Sequence, residues 1–470
     1  MTPPNIARVD DATLSSIVDR LASLHRSVAR EPVVQVADAD AIARLLSIEI
    51  PATGRPLSDV VDEMLKDIYP FRMRMDHPRC FAFVPSPVSA LSWLGDLLTA
   101  VHNPHAGSWL QSSGPSCVER KLIEWLGGKI GYPANAGGLF VSGGSMANLV
   151  ALTAARDHML DVHSRHQGVA YLSEQTHSSV AKGLRIIGLT DGQIRRVATD
   201  SRYRLDVGQL ATAIAADLAN GLKPFVVVAS AGTTNTGSID QLDTIAELCA
   251  SQRLWMHVDG AYGASISVSP RHRDLLDGIE RADSVSWDAH KWLFQTYGCG
   301  MVLMRNGHHL SDTFHANPEY LRDAQTNEDQ INYWDFGQEL TRPARALKLW
   351  LTLQVLGADG VGAAVAHGFQ LAQWAEDELE RHADWQIVTP AQLAIVNFRY
   401  APAGRTDEEL DVLNRAISRR AIAEGFAGVL TTQLKGRTVL RICSIHPAAE
   451  EGDMRGTIQR LDTYARQARL

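Results

Sequence analysis

One lysine and one aspartate have the types and the spacing that covalent cofactor chemistry requires. Lys291 ends the run Ser-Trp-Asp-Ala-His-Lys, and Asp259 ends the strand-like run Trp-Met-His-Val-Asp about thirty residues upstream. A lysine amine can hold pyridoxal 5'-phosphate (PLP) as a Schiff base, while a carboxylate can keep the pyridine nitrogen of that cofactor protonated. Most lysines are only solvated surface charges. This pairing, together with the glycine turn described below, favours a PLP site.

The position of Asp259 at the end of an apolar run predicts that its carboxylate is nearly buried. A buried carboxylate needs a partner, because leaving it ionised and unpaired is energetically expensive. A protonated pyridine nitrogen would be such a partner, and a helix N-cap or a salt bridge is the alternative. Ala261, two residues later, is small enough to lie flat under a cofactor ring.

Two glycine-containing turns are candidates for the rest of the cofactor site. Ser-Gly-Gly-Ser-Met-Ala-Asn at 142–148, which includes Gly144 and Ser145, follows a predicted strand and opens a helix. Such a turn offers free N–H groups and a partial positive charge to a phosphate. It lacks the lysine of a Walker loop, which disfavours a nucleotide. Thr234 lies in the second turn, 232–237, which either lines a cofactor site or only satisfies its own backbone.

His177 and Tyr320 are candidates with weaker support from the pattern alone. His177 follows another predicted strand, so its imidazole can stack on a pyridine ring, although a lone histidine is just as often structural. Tyr320 lies in the polar segment 312–337, which is typical of either a disordered connection or a functional lid. A phenol on a lid can protonate a carbanion after closure. No group of side chains has the spacing of a metal site.

The elements that must position these residues follow an α/β rhythm. Short apolar runs alternate with helical patterns between about 90 and 310, and the predicted strands are 138–141, 169–172, 225–229, 254–258, 284–287 and 300–304. Runs without polar alternation indicate strands covered by helices on both faces. We therefore expect a mostly parallel sheet whose ligands bind beyond the carboxyl ends of the strands.

Three regions are expected along the chain. Residues 1–89 read as an N-terminal helical segment too thin for a core of its own, 90–360 as the large α/β domain, and 361–470 as a small α+β domain. The last of these has predicted strands at 395–400 and 439–444. The predicted helices 341–356 and 361–381 flank the Gly-Ala-Asp-Gly sequence at 357–360, which marks the boundary.

Composition narrows the class of protein. The 470 residues carry a formal net charge of −8 without any block of like charge, which argues against nucleic-acid or membrane-surface binding. No apolar run approaches the length of a membrane span, and no signal pattern opens the chain. Five scattered cysteines fit a reducing compartment. A cytoplasmic protein is expected.

Taken together, these segments resemble the group II PLP-dependent amino acid decarboxylases, which include the aromatic amino acid, glutamate, cysteine sulfinate and 2,4-diaminobutyrate decarboxylases. The resemblance extends from about residue 77 to 444. It includes Gly-Ser-Trp at 107–109, Ser-Gly-Gly-Ser-Met-Ala-Asn, Thr-His-Ser-Ser, His-Val-Asp-Gly-Ala-Tyr-Gly, Asp-Ala-His-Lys-Trp, Asn-Pro-Glu-Tyr-Leu and Ala-Leu-Lys-Leu-Trp. Several motifs in this order are far more specific than any one of them.

The resemblance implies a fold-type I enzyme that forms a homodimer with shared active sites, in which the N-terminal segment clasps the partner. Lys291 resembles the Schiff-base lysine, Asp259 the partner of the pyridine nitrogen and His177 the stacking histidine. The remaining implied roles are phosphate contacts for Gly144, Ser145 and His290, a place beside the cofactor for Thr234, proton donation for Tyr320, and the substrate α-carboxylate for Arg441.

The substrate is predicted only as an L-amino acid, with a slight preference for an aromatic one. Trp292 is similar to the aromatic branch, and Phe83, in an apolar stretch, could form part of a side-chain pocket. The stretch 103–107 departs from that branch, because it has small or polar residues where a bulky apolar wall is usual. Acidic, diamino and aliphatic substrates therefore stay open. A decarboxylation-dependent oxidative deamination that gives an aldehyde is a further alternative.

Overall fold

A seven-stranded sheet forms the centre of the molecule. The computed structural model describes residues 9–315 and 330–468. The strands of the central sheet lie in the order β1-β7-β6-β5-β4-β2-β3. Their bounds are β1 Gly137–Val141, β2 Gly168–Ser173, β3 Ile194–Val197, β4 Lys223–Ser230, β5 Trp255–Asp259, β6 Ser284–Asp288 and β7 Gly300–Met304. All six predicted strands of this region are confirmed.

Helices cover both faces of this sheet, as its apolar strands predicted. Along β4, Val226 and Val228 join one hydrophobic core, whereas Val227 and Ala229 join another on the opposite face. Because successive side chains of a strand point to opposite faces, a strand buried on both sides has no polar alternation. The α/β fold class is therefore confirmed.

The direction of the strands brings the candidate residues to one edge. Strand β7 runs antiparallel to both of its neighbours, β1 and β6, so β1 points the same way as the parallel set β2 to β6. The carboxyl ends of six strands consequently meet at a single edge of the sheet. The chain emerges there after β1, β2, β4, β5 and β6 with the residues that the sequence singled out.

Helices account for most of the rest of the described chain. Their bounds are α1 Asp11–Ser27, α2 Ala39–Leu46, α3 Leu57–Glu63, α4 Ala90–His102, α5 Trp109–Lys129, α6 Gly144–Met159, α7 Ser178–Ile186, α8 Val207–Ala219, α9 Leu242–Gln252, α10 His308–Phe314, α11 Ala346–Leu379, α12 Asp407–Ala423 and α13 Glu451–Gln467. Helix α6 starts at the site edge and packs along β4, β5, β6 and β7.

A second, four-stranded antiparallel sheet lies in the C-terminal part, in the order β10-β11-β9-β8. Its strands are β8 Trp385–Gln392, β9 Ile395–Tyr400, β10 Leu430–Leu434 and β11 Arg437–Cys443. Helix α11 connects the two sheets and breaks at Gly357, where φ is 70° and ψ is 166°. Two helices were predicted on either side of 357–360, and the break at Gly357 separates them. The domain limits at 89 and 360 stay predictions.

Among the residues that the structure describes, one helix, α11, is long and apolar enough by length and composition alone to cross a membrane. It packs against α4, α5 and α13, and its Lys348 is buried in an ion pair with Asp96. Core helices of proteins that never enter a membrane pass the same test. The prediction that no apolar run reaches this length was therefore wrong for α11. The prediction treated 357–360 as a boundary between two shorter helices, whereas the apolar stretch continues past Gly357.

Candidate active site

A cavity of about 410 Å³ opens at the carboxyl edge of the central sheet. Eight of the residues predicted from the sequence line this cavity. They are Gly144, Ser145, His177, Thr234, Asp259, Ala261, His290 and Lys291. Strands β1, β2, β4, β5 and β6 each deliver at least one lining residue through the loop that follows them.

Lys291 projects into the cavity one turn after β6. Its Nζ lies 3.1 Å from Asp288 Oδ2, and His290 Nε2 lies 3.6 Å from the same oxygen. Burial lowers the pKa of His290, although the nearby Asp288 carboxylate opposes this shift. The amine is thus held at the cavity wall by an ion pair that a covalent partner of Lys291 would break.

The turn between β1 and α6 approaches the loop after β6 more closely than side chains would allow. A Cβ atom added to Gly143 would lie 2.9 Å from His290 Cε1, and one added to Gly144 would lie 2.8 Å from Asp288 Oδ2. Both positions therefore need glycine. Residues 142–146, at the start of α6, line the cavity, and a helix N-terminus is an arrangement that binds phosphate.

Asp259 is 9% exposed and its carboxylate is held on both sides. Asn148 Nδ2 donates to Oδ2 at 3.1 Å, while the Ala261 N–H and the Ser286 hydroxyl donate to Oδ1 at 3.2 and 3.3 Å. Neither of the alternatives considered for Asp259 is seen, since no helix begins there and no cation pairs with it among the described residues. These neutral donors leave the negative charge available to a cationic ring nitrogen.

His177 caps the N-terminus of α7 and lines the cavity. Its Nδ1 accepts the Ser179 backbone N–H at 3.3 Å and lies 2.8 Å from the Ser179 hydroxyl. A backbone N–H can only donate, so the ring carries its hydrogen on Nε2 when neutral. The imidazole is exposed and is oriented by α7.

The loop after β4, at 232–237, has features of both alternatives predicted for it: some of its polar groups bond one another, and one of its residues lines the cavity. Its hydroxyls satisfy one another, with 2.8 Å between the Oγ1 atoms of Thr233 and Thr236 and 2.7 Å from Thr236 Oγ1 to Ser238 Oγ. Gly232 and Gly237 have positive φ values of 91° and 72°. Thr234 is left to line the cavity.

Three predicted substrate residues do not line this cavity. Trp292 is 0% exposed and stacks between Tyr262, at 4.9 Å between ring centroids, and Phe369, at 5.6 Å. A direct substrate contact by Trp292 is therefore not what the structure shows, because the ring supports Tyr262 from beneath. Phe83 is 59% exposed with a positive φ of 56°.

Arg441 is buried on β11, and no carboxylate pairs with it among the residues that the structure describes. Its Nη1 donates to the Phe83 carbonyl, whereas Nε and Nη2 have no hydrogen-bond partner in the part of the chain that the structure describes. Burial lowers the pKa of its guanidinium, and the neighbouring Tyr262, which lines the cavity, opposes that shift. An unpaired buried cation is costly, so this site calls for an anion.

Tyr320 lies outside the described residues. The structure also brings forward residues that the sequence reasoning missed, namely Asp288, Asn148 and Tyr297. Asp288 and Asn148 belong to the quoted motifs but had no role assigned. Tyr297 lines the cavity, follows Lys291 by six residues and is 61% exposed. The sequence signal that could have identified it is an aromatic residue in a short polar loop.

The residues present fit PLP. The N-terminus of α6 and His290 suit a phosphate, the buried Asp259 suits a protonated ring nitrogen, Ala261 leaves space beside it, and Lys291 suits the aldehyde carbon. Among the residues that the structure describes, no group of histidine, cysteine and carboxylate side chains could hold a metal ion.

Comparison with known proteins agrees with this site. The family model described as "Pyridoxal-dependent decarboxylase conserved domain" matches residues 40–401. An aromatic-L-amino-acid decarboxylase of Bacillus atrophaeus is 38% identical over 96% of this chain and 95% of its own. A phenylacetaldehyde synthase of Arabidopsis thaliana is 30% identical over 93% and 91%. The crystal structure of Oryza sativa TDC with PLP and tryptamine superimposes with a TM-score of 0.93 at 29% identity and covers 99% of both chains.

Proposed function

The chain belongs to the pyridoxal-dependent decarboxylase family, and from this premise we propose that it converts an aromatic L-amino acid into the corresponding amine and carbon dioxide. That it is a PLP-dependent amino acid decarboxylase follows from the family and its full-length relatives. The aromatic substrate and the roles of individual residues are the proposal.

The observation that carries the proposal is the convergence of Lys291, Asp259 and His177 on one cavity beside the N-terminus of α6. When bound, PLP supplies an electron sink for the bond to be broken. Lys291 would hold the cofactor, and its amine would be available to move a proton beside the bound substrate. Asp259 would hold its charge against a protonated ring nitrogen, and His177, whose ring is oriented by Ser179, would pack against the cofactor ring.

Arg441 is proposed to bind the substrate α-carboxylate. Two of its nitrogen atoms lack partners in the described residues, and Tyr262 connects it to the cavity lining. A bidentate guanidinium–carboxylate pair would fix the direction of the bond that breaks. Because the rate falls tenfold for about each 1.4 kcal/mol of lost transition-state stabilisation, this orientation matters.

Two aromatic side chains support an aromatic substrate. Tyr297 lines the cavity with its ring centroid 5.4 Å from that of His290. Phe83 has an exposed ring, and its backbone carbonyl accepts a hydrogen bond from the Arg441 guanidinium. Aromatic rings attract aromatic substrates through their large apolar area and their offset packing. Trp292 contributes by holding Tyr262 in place.

Tyr320 is proposed to donate the proton that completes the amine. This role favours simple decarboxylation over the aldehyde outcome for which the phenylacetaldehyde synthase relative is named. Tyr320→Phe should slow release of the amine and raise the yield of aldehyde. Release of the amine at the normal rate would show that another group donates this proton.

The function is tested by incubating purified, PLP-loaded protein with a panel of amino acids and following amine, aldehyde and carbon dioxide by mass spectrometry. The panel contains tryptophan, tyrosine, phenylalanine, DOPA, glutamate, aspartate and 2,4-diaminobutyrate. We expect amine from aromatic members. Amine from glutamate or diaminobutyrate alone would overturn the aromatic assignment, and aldehyde as the main product would overturn the amine.

A cytoplasmic homodimer completes the proposal. Helix α1 buries none of its residues within the single chain, and α4 leaves Leu94, Leu97, Leu98 and Val101 exposed. Exposed apolar faces of this size are typical of subunit contacts. Light scattering should give twice the 51.4 kDa of one chain. The cytoplasmic location is supported by five cysteines that are all free.

A further inference from the structure

We propose that Asn148 is a positioning residue that orients both Asp259 and His177, and that His257 holds the Asn148 amide in the direction this task requires. The inference rests on the proposed function and names the residues that prepare its site. Asn148, His257 and Ser284 are each no more than 1% exposed and do not belong to the residues assigned above.

Asp259 determines which way the Asn148 amide faces. Nδ2 of Asn148 lies 3.1 Å from Asp259 Oδ2, and an ionised carboxylate only accepts hydrogen bonds. The amide nitrogen must therefore face Asp259, which leaves Oδ1 facing His257 Nε2 at 2.9 Å. Since an amide oxygen only accepts, His257 must carry a hydrogen on Nε2.

The contacts at the other end of the chain of hydrogen bonds are compatible with this tautomer. The Trp255 indole N–H, which can only donate, bonds Ser284 Oγ at 2.8 Å. Ser284 Oγ also lies 2.8 Å from His257 Nδ1, so its own hydrogen is free to point at that nitrogen. An imidazole that accepts at Nδ1 and donates at Nε2 is neutral, in keeping with a pKa that burial lowers to about 4.

The same amide reaches the second catalytic candidate. Nδ2 of Asn148 lies 3.1 Å from Ser179 Oγ, which in turn lies 2.8 Å from His177 Nδ1. Ser179 thus receives one hydrogen and gives its own to the ring, whose remaining hydrogen stays on Nε2. One side chain of α6 therefore couples the carboxylate after β5 to the imidazole before α7.

A reversed amide would disrupt both ends at once. Its oxygen would face the Asp259 carboxylate, and its nitrogen would face the N–H of His257. Each contact would then join like partners inside a buried network, where an unsatisfied polar group is most expensive. Asp259 and His257 therefore hold the Asn148 amide in one orientation from its two sides.

The test compares Asn148→Leu, His257→Gln and His257→Phe, with Thr153→Val on the same helix α6 as the matched control. Thr153 bonds only the Leu149 carbonyl of its own helix. PLP affinity of the apoprotein is measured by fluorescence titration, and the visible absorbance of the loaded protein is followed against pH without substrate. Thermal unfolding reports on folding.

We expect Asn148→Leu to weaken PLP binding by about tenfold or more, the effect of losing a hydrogen bond to a charged group. It should also move the pH midpoint of the visible band, because Asp259 loses a donor. His257→Gln, which retains an N–H for Asn148, should bind PLP more tightly than His257→Phe. A purely structural role predicts instead that the PLP affinity of each variant follows its thermal stability and that the pH midpoint of the visible band stays at the wild-type value.

Wild-type affinity and pH midpoint in a folded Asn148→Leu, or tighter binding by His257→Phe than by His257→Gln, would overturn the inference. These readouts need no amino acid. The positioning role therefore fails or stands independently of the aromatic substrate, which only the amino acid panel tests.

Discussion

Removing the amine of Lys291 tests whether this side chain binds the cofactor covalently. Lys291→Ala should lose the visible band and the borohydride-fixed adduct and should make no amine, because no other amine lines the cavity within the described residues. Lys182→Ala on the exposed side of α7 is the control. Mass spectrometry after borohydride reduction measures the result. An adduct retained in Lys291→Ala would assign the covalent role to another lysine.

Asp288 places a negative charge against the turn that is suited to phosphate. Its Oδ2 would lie 2.8 Å from a Cβ at Gly144, and it pairs with Lys291. Asp288→Asn removes the repulsion between this carboxylate and the phosphate of the cofactor, and it also breaks the ion pair with the Lys291 amine. PLP binding should therefore become about fivefold tighter. Fluorescence titration measures the affinity, with Asp191→Asn as the exposed control. Weaker binding would show instead that the Asp288 carboxylate takes part in holding the cofactor.

His257 predicts a pH dependence of stability. Burial lowers its pKa to about 4 from an ordinary 6.5, so the unfolded chain takes up a proton between these values and the native chain does not. The contribution of neutral His257 to the free energy of unfolding is complete above pH 6.5 and is lost as the pH falls towards 4. The loss between pH 7 and pH 5 is about 2 kcal/mol.

Urea unfolding at pH 7 and pH 5 tests this slope. His257→Gln should lose less free energy of unfolding over that interval than the wild type does, whereas His163→Gln, at an exposed position, should behave like the wild type. Equal losses in all three proteins would mean that His257 is protonated in the native state.

At the scale of elements, one buried ion pair joins α5 to the end of β1. The Arg342 guanidinium bonds both oxygens of Glu119 at 2.7 and 3.0 Å, and Glu119 accepts the N–H of Phe140. Glu119→Gln leaves a buried cation without its charge partner, so it should lower the free energy of unfolding by about 3–5 kcal/mol. Glu124→Gln breaks an exposed pair on the same helix and should cost less than about 1 kcal/mol. Urea unfolding compares them, and equal effects would contradict the argument.

Some of the helices, strands and contacts could be predicted from the sequence, and others could not. The central strands were predictable because burial on both faces leaves uninterrupted apolar runs. Strand β3 was not predicted because it is a short edge strand with two arginines, Arg195 and Arg196. Strand β8 was not predicted because Pro390 lies within it. The site motifs were predictable from their type and order. The contacts of Asn148 and His257 were not, since they join residues 109 positions apart and exist only after the sheet has formed.

For the whole molecule, the exposed face of α4 is expected to hold two subunits together. Leu98→Lys combined with Val101→Lys places charges on a face where these residues are 50% and 74% exposed, so dimers should dissociate and PLP-dependent activity should fall. Val412→Lys, at a 46% exposed apolar position on α12, is the control. Light scattering measures the mass, and an intact dimer of the double variant would exclude α4 from the contact.

The unpaired guanidinium of Arg441 has a consequence for turnover. If Arg441 binds the α-carboxylate as proposed, the reaction removes the group of the substrate that this cation recognises, and the product no longer attracts it. Release of the amine is thereby favoured over its retention, and inhibition by product should be weaker than inhibition by a substrate analogue that keeps its carboxylate. A guanidinium with two nitrogen atoms that lack partners among the described residues would thus distinguish the substrate from the product.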